Sequence, residues 1–223
     1  QILIFPLSVL YDLLIIDQIS GASLMSFVLS RSTELLWATR HFKPAKPKPI
    51  QKKFNGVLFN SDRDIVKRLT NSAFFAQLDK ERLPDLLKFS ELLLFPANEI
   101  IMNEGELCED LIILFTGSLE ANFSFKLDNK IVQKTRTIVT PGVALSWANG
   151  HSNLIAPYSI KSNRDTAILK FSKKNLRSMM EVEPLLASFL FQRQIWQIGR
   201  FQQSANRLSL IHISEPTRHA SIS

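Results

Sequence analysis

The chain has a single cysteine, Cys108, among 223 residues. No disulfide can form within it, so the fold must rest on a packed core, and a reducing, cytoplasmic compartment fits. It has no Gly-rich phosphate loop, no His/Cys cluster at metal-ligand spacing and no nucleophile placed beside a base. The sequence signatures of phosphoryl transfer, zinc chemistry and acyl transfer are thereby missing, and neither catalysis nor a resident metal or cofactor is expected. Uncharged apolar runs of membrane-spanning length are lacking too. The most apolar stretch, from Ile2 to Ile19, carries Asp12 and Asp17, and carboxylates are costly in lipid. A buried amphipathic helix pair over Ile2 to Phe42, broken at Gly21, is expected, with membrane association as the alternative.

What the chain does carry is an ordinary globular share of apolar residues, 45%, with 21% charged and a formal charge of +7. Much of the excess lies in Lys43, Lys46, Lys48, Lys52 and Lys53 and in basic residues after Lys170. Such a balance suits anionic partners without choosing among membrane, nucleic acid and acidic protein. In Lys43-Pro44-Ala45-Lys46-Pro47-Lys48-Pro49 the prolines block helix and the lysines keep the strip solvated, which makes it a spacer; a strip resting on anionic lipid is the alternative. The expected organisation is a helical segment over 1–42, ending an upstream domain, a Pro/Lys-rich linker over 43–60, and a domain over 61–207. A non-native tail is expected over 208–223. The chain opens on Gln1 within an apolar segment and reads as a piece of a longer protein. Leu208 to Arg218 resembles a translated sequencing-library adapter, so His212 and His219 are set aside.

Within 61–207, Ser61 or Asp62 caps a first helix. Phe74 to Asp79 and Glu81 to Ser90 read as two short helices, with Pro84 in a first turn. From Leu92 the period changes. Leu92–Pro96, Ile100–Met102, Leu111–Phe115, Ser118–Phe125, Lys130–Val139, Tyr158–Ser162 and Thr166–Phe171 are strand-length runs bounded by turn residues. Asp128-Asn129 makes a hairpin turn. Ser172 caps a helix through Met180, and a long helix runs from Glu183 to Arg207. Phe189 and Trp196, with Leu186, Leu190 and Ile195, form its packing stripe, while Arg193, Arg200 and Arg207 recur every seven residues on a solvated face. The predicted class is α+β: an antiparallel, jelly-roll-like β-roll flanked by short helices and a long C-terminal helix, after a helical segment.

The phrase from Ile100 to Leu119 holds an apolar pair, a Glu104-Gly105-Glu106 turn, an acidic residue, a strand and then Thr116-Gly117-Ser118-Leu119. It resembles the opening of a cyclic nucleotide-binding domain of the Crp type, and the order of elements matches over roughly 130 residues. The resemblance implies a β-roll sensor or regulatory module, with Glu104, Gly105, Gly117 and Gly142 as turn or structural positions. Its C-terminal helix would serve a homodimer through residues 183–207 or carry motion to other domains of the same protein.

Members that bind cyclic nucleotide supply a carboxylate for the ribose hydroxyl and an arginine for the phosphate, in a cassette reading Phe-Gly-Glu and later Pro-Arg. Here Leu145 stands at the Phe place, Ser146 at Gly and Trp147 at Glu. Pro157 matches the Pro, and Tyr158 stands at the Arg. The ligand-binding candidates are therefore Leu145, Ser146, Trp147, Pro157 and Tyr158, in a cassette without its two charged contacts. Cyclic AMP or cyclic GMP is implied by the family but unsupported at these two positions. Lys161, Arg164 or His151 would have to replace them. The Leu-Ser-Trp phrase also resembles bacterial members with Gly-Trp-Ser here. Glu104, Glu106, Glu109 and Asp110 read as solvated acids rather than metal ligands, and Cys108 as structural. The expected function is a non-catalytic regulatory module of a larger protein. The alternatives are a truncated Crp-like transcription regulator, or the cytoplasmic regulatory part of a membrane transporter, channel or enzyme.

Overall fold

The computed structural model describes residues 9, 12, 15–39, 57–58, 65–127, 130–152 and 154–213. The Lys/Pro spacer, the Ser61–Asp62 helix start, the Asp128-Asn129 turn and the tail beyond Ile213 lie outside them, as does the Arg207 side chain. In chain order the elements are α1 (Gln18–Thr39), β1 (Val57–Leu58), α2 (Ile65–Thr70), α3 (Leu83–Leu87), β2 (Glu91–Phe95), β3 (Ile100–Met102), β4 (Leu107–Cys108), β5 (Leu111–Thr116), β6 (Leu119–Leu127), β7 (Lys130–Ile138), β8 (Leu154–Ile155), β9 (Ser159–Ser162), β10 (Thr166–Phe171), α4 (Lys173–Val182) and α5 (Pro184–Ile213).

The strands form two four-stranded sheets, ordered β1-β2-β10-β5 and β3-β9-β6-β7, and a short β4-β8 pair. Every pairing is antiparallel. The first sheet is the central layer, and the two-residue period of a strand assigns its sides. Leu111, Ile113 and Phe115 of β5, with Leu169 and Phe171 of β10, face a core shared with α1, α4 and α5. Ile112, Leu114 and Ile168 face the opposite way, into a core shared with Ile101, Leu119 and Ile160 of the second sheet. Burial on both sides explains why β5 is the unbroken apolar run Leu-Ile-Ile-Leu-Phe rather than an alternating one.

Several local departures from the sequence expectations have identifiable causes. The N-terminal helical stretch breaks at Asp17, not at Gly21. The Asp17 carboxylate accepts from the Ser20 N–H at 3.1 Å and the Ser20 hydroxyl at 2.6 Å, an N-cap that starts α1. These bonds hold the Asp17 carboxyl below the usual carboxylate range. Gly21 continues the helix and is buried. Phe74 to Asp79 forms successive turns rather than a helix, held by bonds from Phe75 N–H to Ser72 O and from Leu78 N–H to Phe75 O. The Ala73 carbonyl, which an α-helix would pair with the Gln77 N–H, accepts instead from the Arg193 guanidinium. Ser172 does cap α4, accepting from Asn175 N–H at 3.1 Å, and Pro84 opens α3.

α1 packs along α5 and buries Ala22, Met25, Leu29 and Leu36 in the same core as α5. Each fully buried leucine contributes roughly 1.5–3 kcal/mol on transfer. The turn after β5 has no room for a side chain at Gly117. Its φ is +121°, and a Cβ there would come within 2.7 Å of the Thr166 Cα. Gly117→Ala is therefore expected to destabilise the chain by roughly 2–4 kcal/mol, through backbone strain plus overpacking; a stability loss from denaturant unfolding of less than a quarter of that would show that the turn relaxes freely.

Cys108 is buried, with its thiol 3.3 Å from the Met102 sulfur. Burial, then the charges of Glu106 and Asp110, push this thiol up to about 12 from 9.0. The unfolded chain therefore loses the proton first as pH rises. The stability tied to the neutral thiol is whole below pH 9 and is lost progressively toward pH 12. Alkylation by iodoacetamide at pH 8 is expected to run roughly a hundredfold slower than with free cysteine, and Cys108→Ala should flatten the alkaline fall in stability. Rapid labelling of the native chain would contradict the buried, protonated thiol.

Candidate functional site

The segment from Gly142 to Ser146 closes the free edge of β5. Gly142 N–H donates to Leu114 O at 2.7 Å, Leu114 N–H to Val143 O at 2.9 Å and Leu145 N–H to Ile112 O at 2.7 Å. Gly142 turns with φ +80°, and a Cβ on it would fall 2.5 Å from the Ser72 Cβ. Ser146 is fully buried. Its hydroxyl accepts from Ile112 N–H at 2.9 Å and donates to the Asp110 carbonyl at 2.7 Å. Ser146 thus does the work of a missing strand partner, satisfying two main-chain groups at an edge. Leu145 is buried in the core between the sheets.

Trp147, Pro157 and Tyr158 are all buried. The Trp147 ring meets Tyr158 edge-on at 6.5 Å and Phe201 of α5 at 6.3 Å. Phe201 lies 5.9 Å from Tyr158 and 6.1 Å from Phe123 of β6. Trp147 and Tyr158 therefore join one cluster with the C-terminal helix. Burying the Trp147 ring leaves its Nε1–H without a hydrogen-bond partner among the described residues, a cost of about 1–3 kcal/mol.

Two glutamines attach α5 to this segment. Gln194 Oε1 accepts from Ala148 N–H at 2.9 Å, and its Nε2 donates to Ala148 O at 3.1 Å. Gln197 Oε1 accepts from Ala144 N–H at 3.0 Å, and its Nε2 donates to Ala144 O at 2.6 Å. Spaced three apart on a helix, the two side chains share one face. Asn149 extends the attachment to α1, donating to Ser26 O at 3.2 Å and to the Ser30 hydroxyl at 2.7 Å.

The other candidates are placed as follows. Glu104 accepts from Ser124 N–H through both carboxylate oxygens, at 3.2 and 3.1 Å. Glu106 takes the N–H and side-chain amide of Asn103. Gly105, with φ +84°, donates to Ala156 O at 3.0 Å. Two of the acids read as solvated are thus engaged locally, and among the described residues no group of His, Cys, Asp and Glu suits a metal ion. Arg193 is not on a solvated face: it is buried and donates to Gln77 at 3.1 Å and to the Ala73 carbonyl. Burial lowers its pKa. Trp196, assigned to the packing stripe, instead is 41% exposed and lies under Arg193 and Arg200, whose guanidinium carbons sit 4.4 and 5.0 Å from its ring centre.

A cleft of about 350 Å³ opens between the roll and α5. Tyr158 and Phe201 line it, whereas Lys161, Arg164 and His151 do not. Arg164 instead donates to Gly117 O at 3.2 Å. The cations at the cleft are Arg136 of β7 and Arg200 of α5. Arg200 was legible as part of an arginine row, but nothing in that row points toward the roll. Arg136 carried no sequence signal beyond its place one strand before the cassette.

No family model matches the chain, and no curated protein matches it. Among solved structures it is similar to the catabolite activator protein of Thermus thermophilus, at 18% identity over 63% of each chain with a TM-score of 0.50. The likeness thus spans less than two thirds of that protein. It is also similar to a cyclic nucleotide-binding domain from Methylobacillus flagellatus, at 16% identity over 72% of this chain and 85% of that one, with a TM-score of 0.51. Among the described residues no helix is long and apolar enough to cross a membrane. With its antiparallel roll, flanking helices and long C-terminal helix, the chain has the fold of Crp-type cyclic nucleotide-binding domains.

Proposed function

We propose that the chain is a non-catalytic regulatory module of a larger, cytoplasmic protein, in which α5 carries the state of the β-roll to another domain. The observation that carries this reading is the double attachment of α5 to the cassette through Gln194 and Gln197. Any change in the segment from Ala144 to Ala148 must either move those glutamines or break their bonds, so roll and helix respond together.

The same site is not built for cyclic AMP or cyclic GMP. Trp147 and Tyr158 stand where the carboxylate and the guanidinium are wanted, and both are packed against Phe201. Neither carries charge near neutral pH. Each missing charged hydrogen bond forfeits roughly 1.5–3 kcal/mol. Calorimetric titration of the full chain with cyclic AMP and cyclic GMP is expected to give no saturable heat up to millimolar ligand; submicromolar binding of either would overturn this part of the reading.

The attachment has its own test. Gln194→Leu strands the N–H and the carbonyl of Ala148, at about 1–3 kcal/mol for each buried group. Hydrogen exchange at the Ala148 amide should accelerate by more than the loss of global stability accounts for, with β5 and β10 still protected. An unchanged Ala148 amide would mean that α5 does not hold the cassette, and the regulatory reading would lose its support.

A further inference from the structure

We infer that the open edge of β7 is a docking site for an extended acidic segment of another protein, which adds to the second sheet as a further strand. The inference does not rest on the regulatory reading of α5 and can fail without it. The sheet edges are not alike. β1 and β3 are two and three residues long, and the segment from Gly142 to Ser146 closes β5. β7 runs for nine residues and, among the described residues, pairs with β6 alone. Its residues from Gln133 to Thr137 are all exposed.

The register fixes which main-chain groups stand open. Ser124 of β6 lies opposite Gln133, and its N–H is spent on the Glu104 carboxylate. An antiparallel ladder alternates bonded and non-bonded pairs. Ser124 and Gln133 are therefore a non-bonded pair, and the N–H and C=O of Gln133 point away from β6. By the same alternation so do those of Ile131, Thr135 and Thr137, along a register without a bulge. Val132, Lys134 and Arg136 are the residues bonded to β6. Such a row of donors and acceptors is a template for a further strand. Phosphates, which only accept, would match its donors and not its carbonyls.

The charge on the edge selects the strand. The sequence of β7 has no proline and no acid. Lys134 and Arg136 stand on one face, with Phe123 and Ala121 opposite them on β6. Neither makes a hydrogen bond or ion pair among the described residues. Glu120, the acid of β6, pairs in register with Thr137 and lies on the other face. A second copy added antiparallel about a two-fold axis would bring Lys134 and Arg136 of both chains onto one face, and like charges across strands destabilise. A strand with Glu or Asp at alternate positions reverses that sign. Its other face meets Thr135 and Thr137, so Thr or Val suits the positions between.

The test uses the full chain and a fluorescein-labelled peptide in which Glu alternates with Thr and Val. A partner peptide carries Lys at every Glu, and fluorescence anisotropy reads binding. The expected result is saturable binding of the Glu peptide, with the Lys peptide about tenfold weaker or more. Gln133→Pro removes an N–H that β6 does not use and sets the ring on the open side, where an edge strand tolerates it. It should leave the denaturant midpoint near the wild-type value and weaken the Glu peptide about tenfold or more. A Glu peptide N-methylated at alternate residues tests the same bonds on the unaltered chain and should lose affinity by a similar factor. Lys134→Glu with Arg136→Glu should exchange the preference between the two peptides.

Amide exchange reads the register directly. Bound peptide should slow Ile131, Gln133 and Thr135 and leave Val132 and Lys134 little changed. Binding indifferent to both Gln133→Pro and N-methylation, equal binding of the two peptides, or no binding of the Glu peptide at millimolar concentration would overturn the inference. So would a concentration-dependent dimer that Gln133→Pro abolishes, which would give the edge to a second copy. Tighter binding of single-stranded DNA at the same edge would give it to nucleic acid instead.

Discussion

Gln194 and Gln197 do for α5 what a neighbouring strand does for the edge of a sheet. Each offers one acceptor and one donor to a single residue of the cassette, and together they satisfy both main-chain groups of Ala144 and Ala148. Ala144 and Ala148 are fully buried, so without the glutamines three polar groups would be orphaned in an apolar layer and the Ala144 carbonyl would keep only the Tyr158 hydroxyl at 3.5 Å, and each orphaned group is costly. The irregular path of the cassette across the β5 edge is tolerable only because α5 lies over it. The placement of Trp147 and Phe201, the shape of the cleft and the seat for α1 all follow from that contact.

Arg193 anchors the same helix at a second point and sets the local structure opposite it. Its guanidinium is buried with no carboxylate beside it in the described structure, satisfied by the Gln77 amide, the Ala73 carbonyl and the face of Trp196, while its Nε–H has no partner. Desolvation lowers its pKa, yet a guanidinium stays charged at any ordinary pH. A lone buried cation held by dipoles is an expensive contact, and it is retained across two elements far apart in sequence. It also meets the turns over Phe74–Asp79, where the Ala73 carbonyl accepts from α5.

Much of the roll was legible in the residues. Ile100–Met102 and Thr166–Phe171 emerge as read, because short apolar runs bounded by turn residues mark buried strands. Ser172 announces α4 for the same kind of reason, a local cap with a local signature. The two-residue strands β4 and β8 leave none, since each is defined by a partner nearly fifty residues away. Gly21 misled because glycine marks both helix breaks and close packing, and only the neighbours decide. At the site, Trp147 and Tyr158 were visible as substitutions in a known pattern. The glutamine contacts were not, because an amide that pairs with main chain has no required companion in the sequence. Arg136 and Arg200 line one cleft for purely tertiary reasons.

The glutamines grip backbone and not side chains, and this has a consequence for how such a chain can drift. A contact made to N–H and C=O is indifferent to the identity of the residue it holds, provided the residue is small enough to lie beneath a helix, as Ala144 and Ala148 are. The residues between them are then free to change their chemistry without unhitching α5. The cassette between them can change its contents while the helix over it stays attached. The mechanical inheritance is stored in two helix positions, and the chemical inheritance is stored elsewhere.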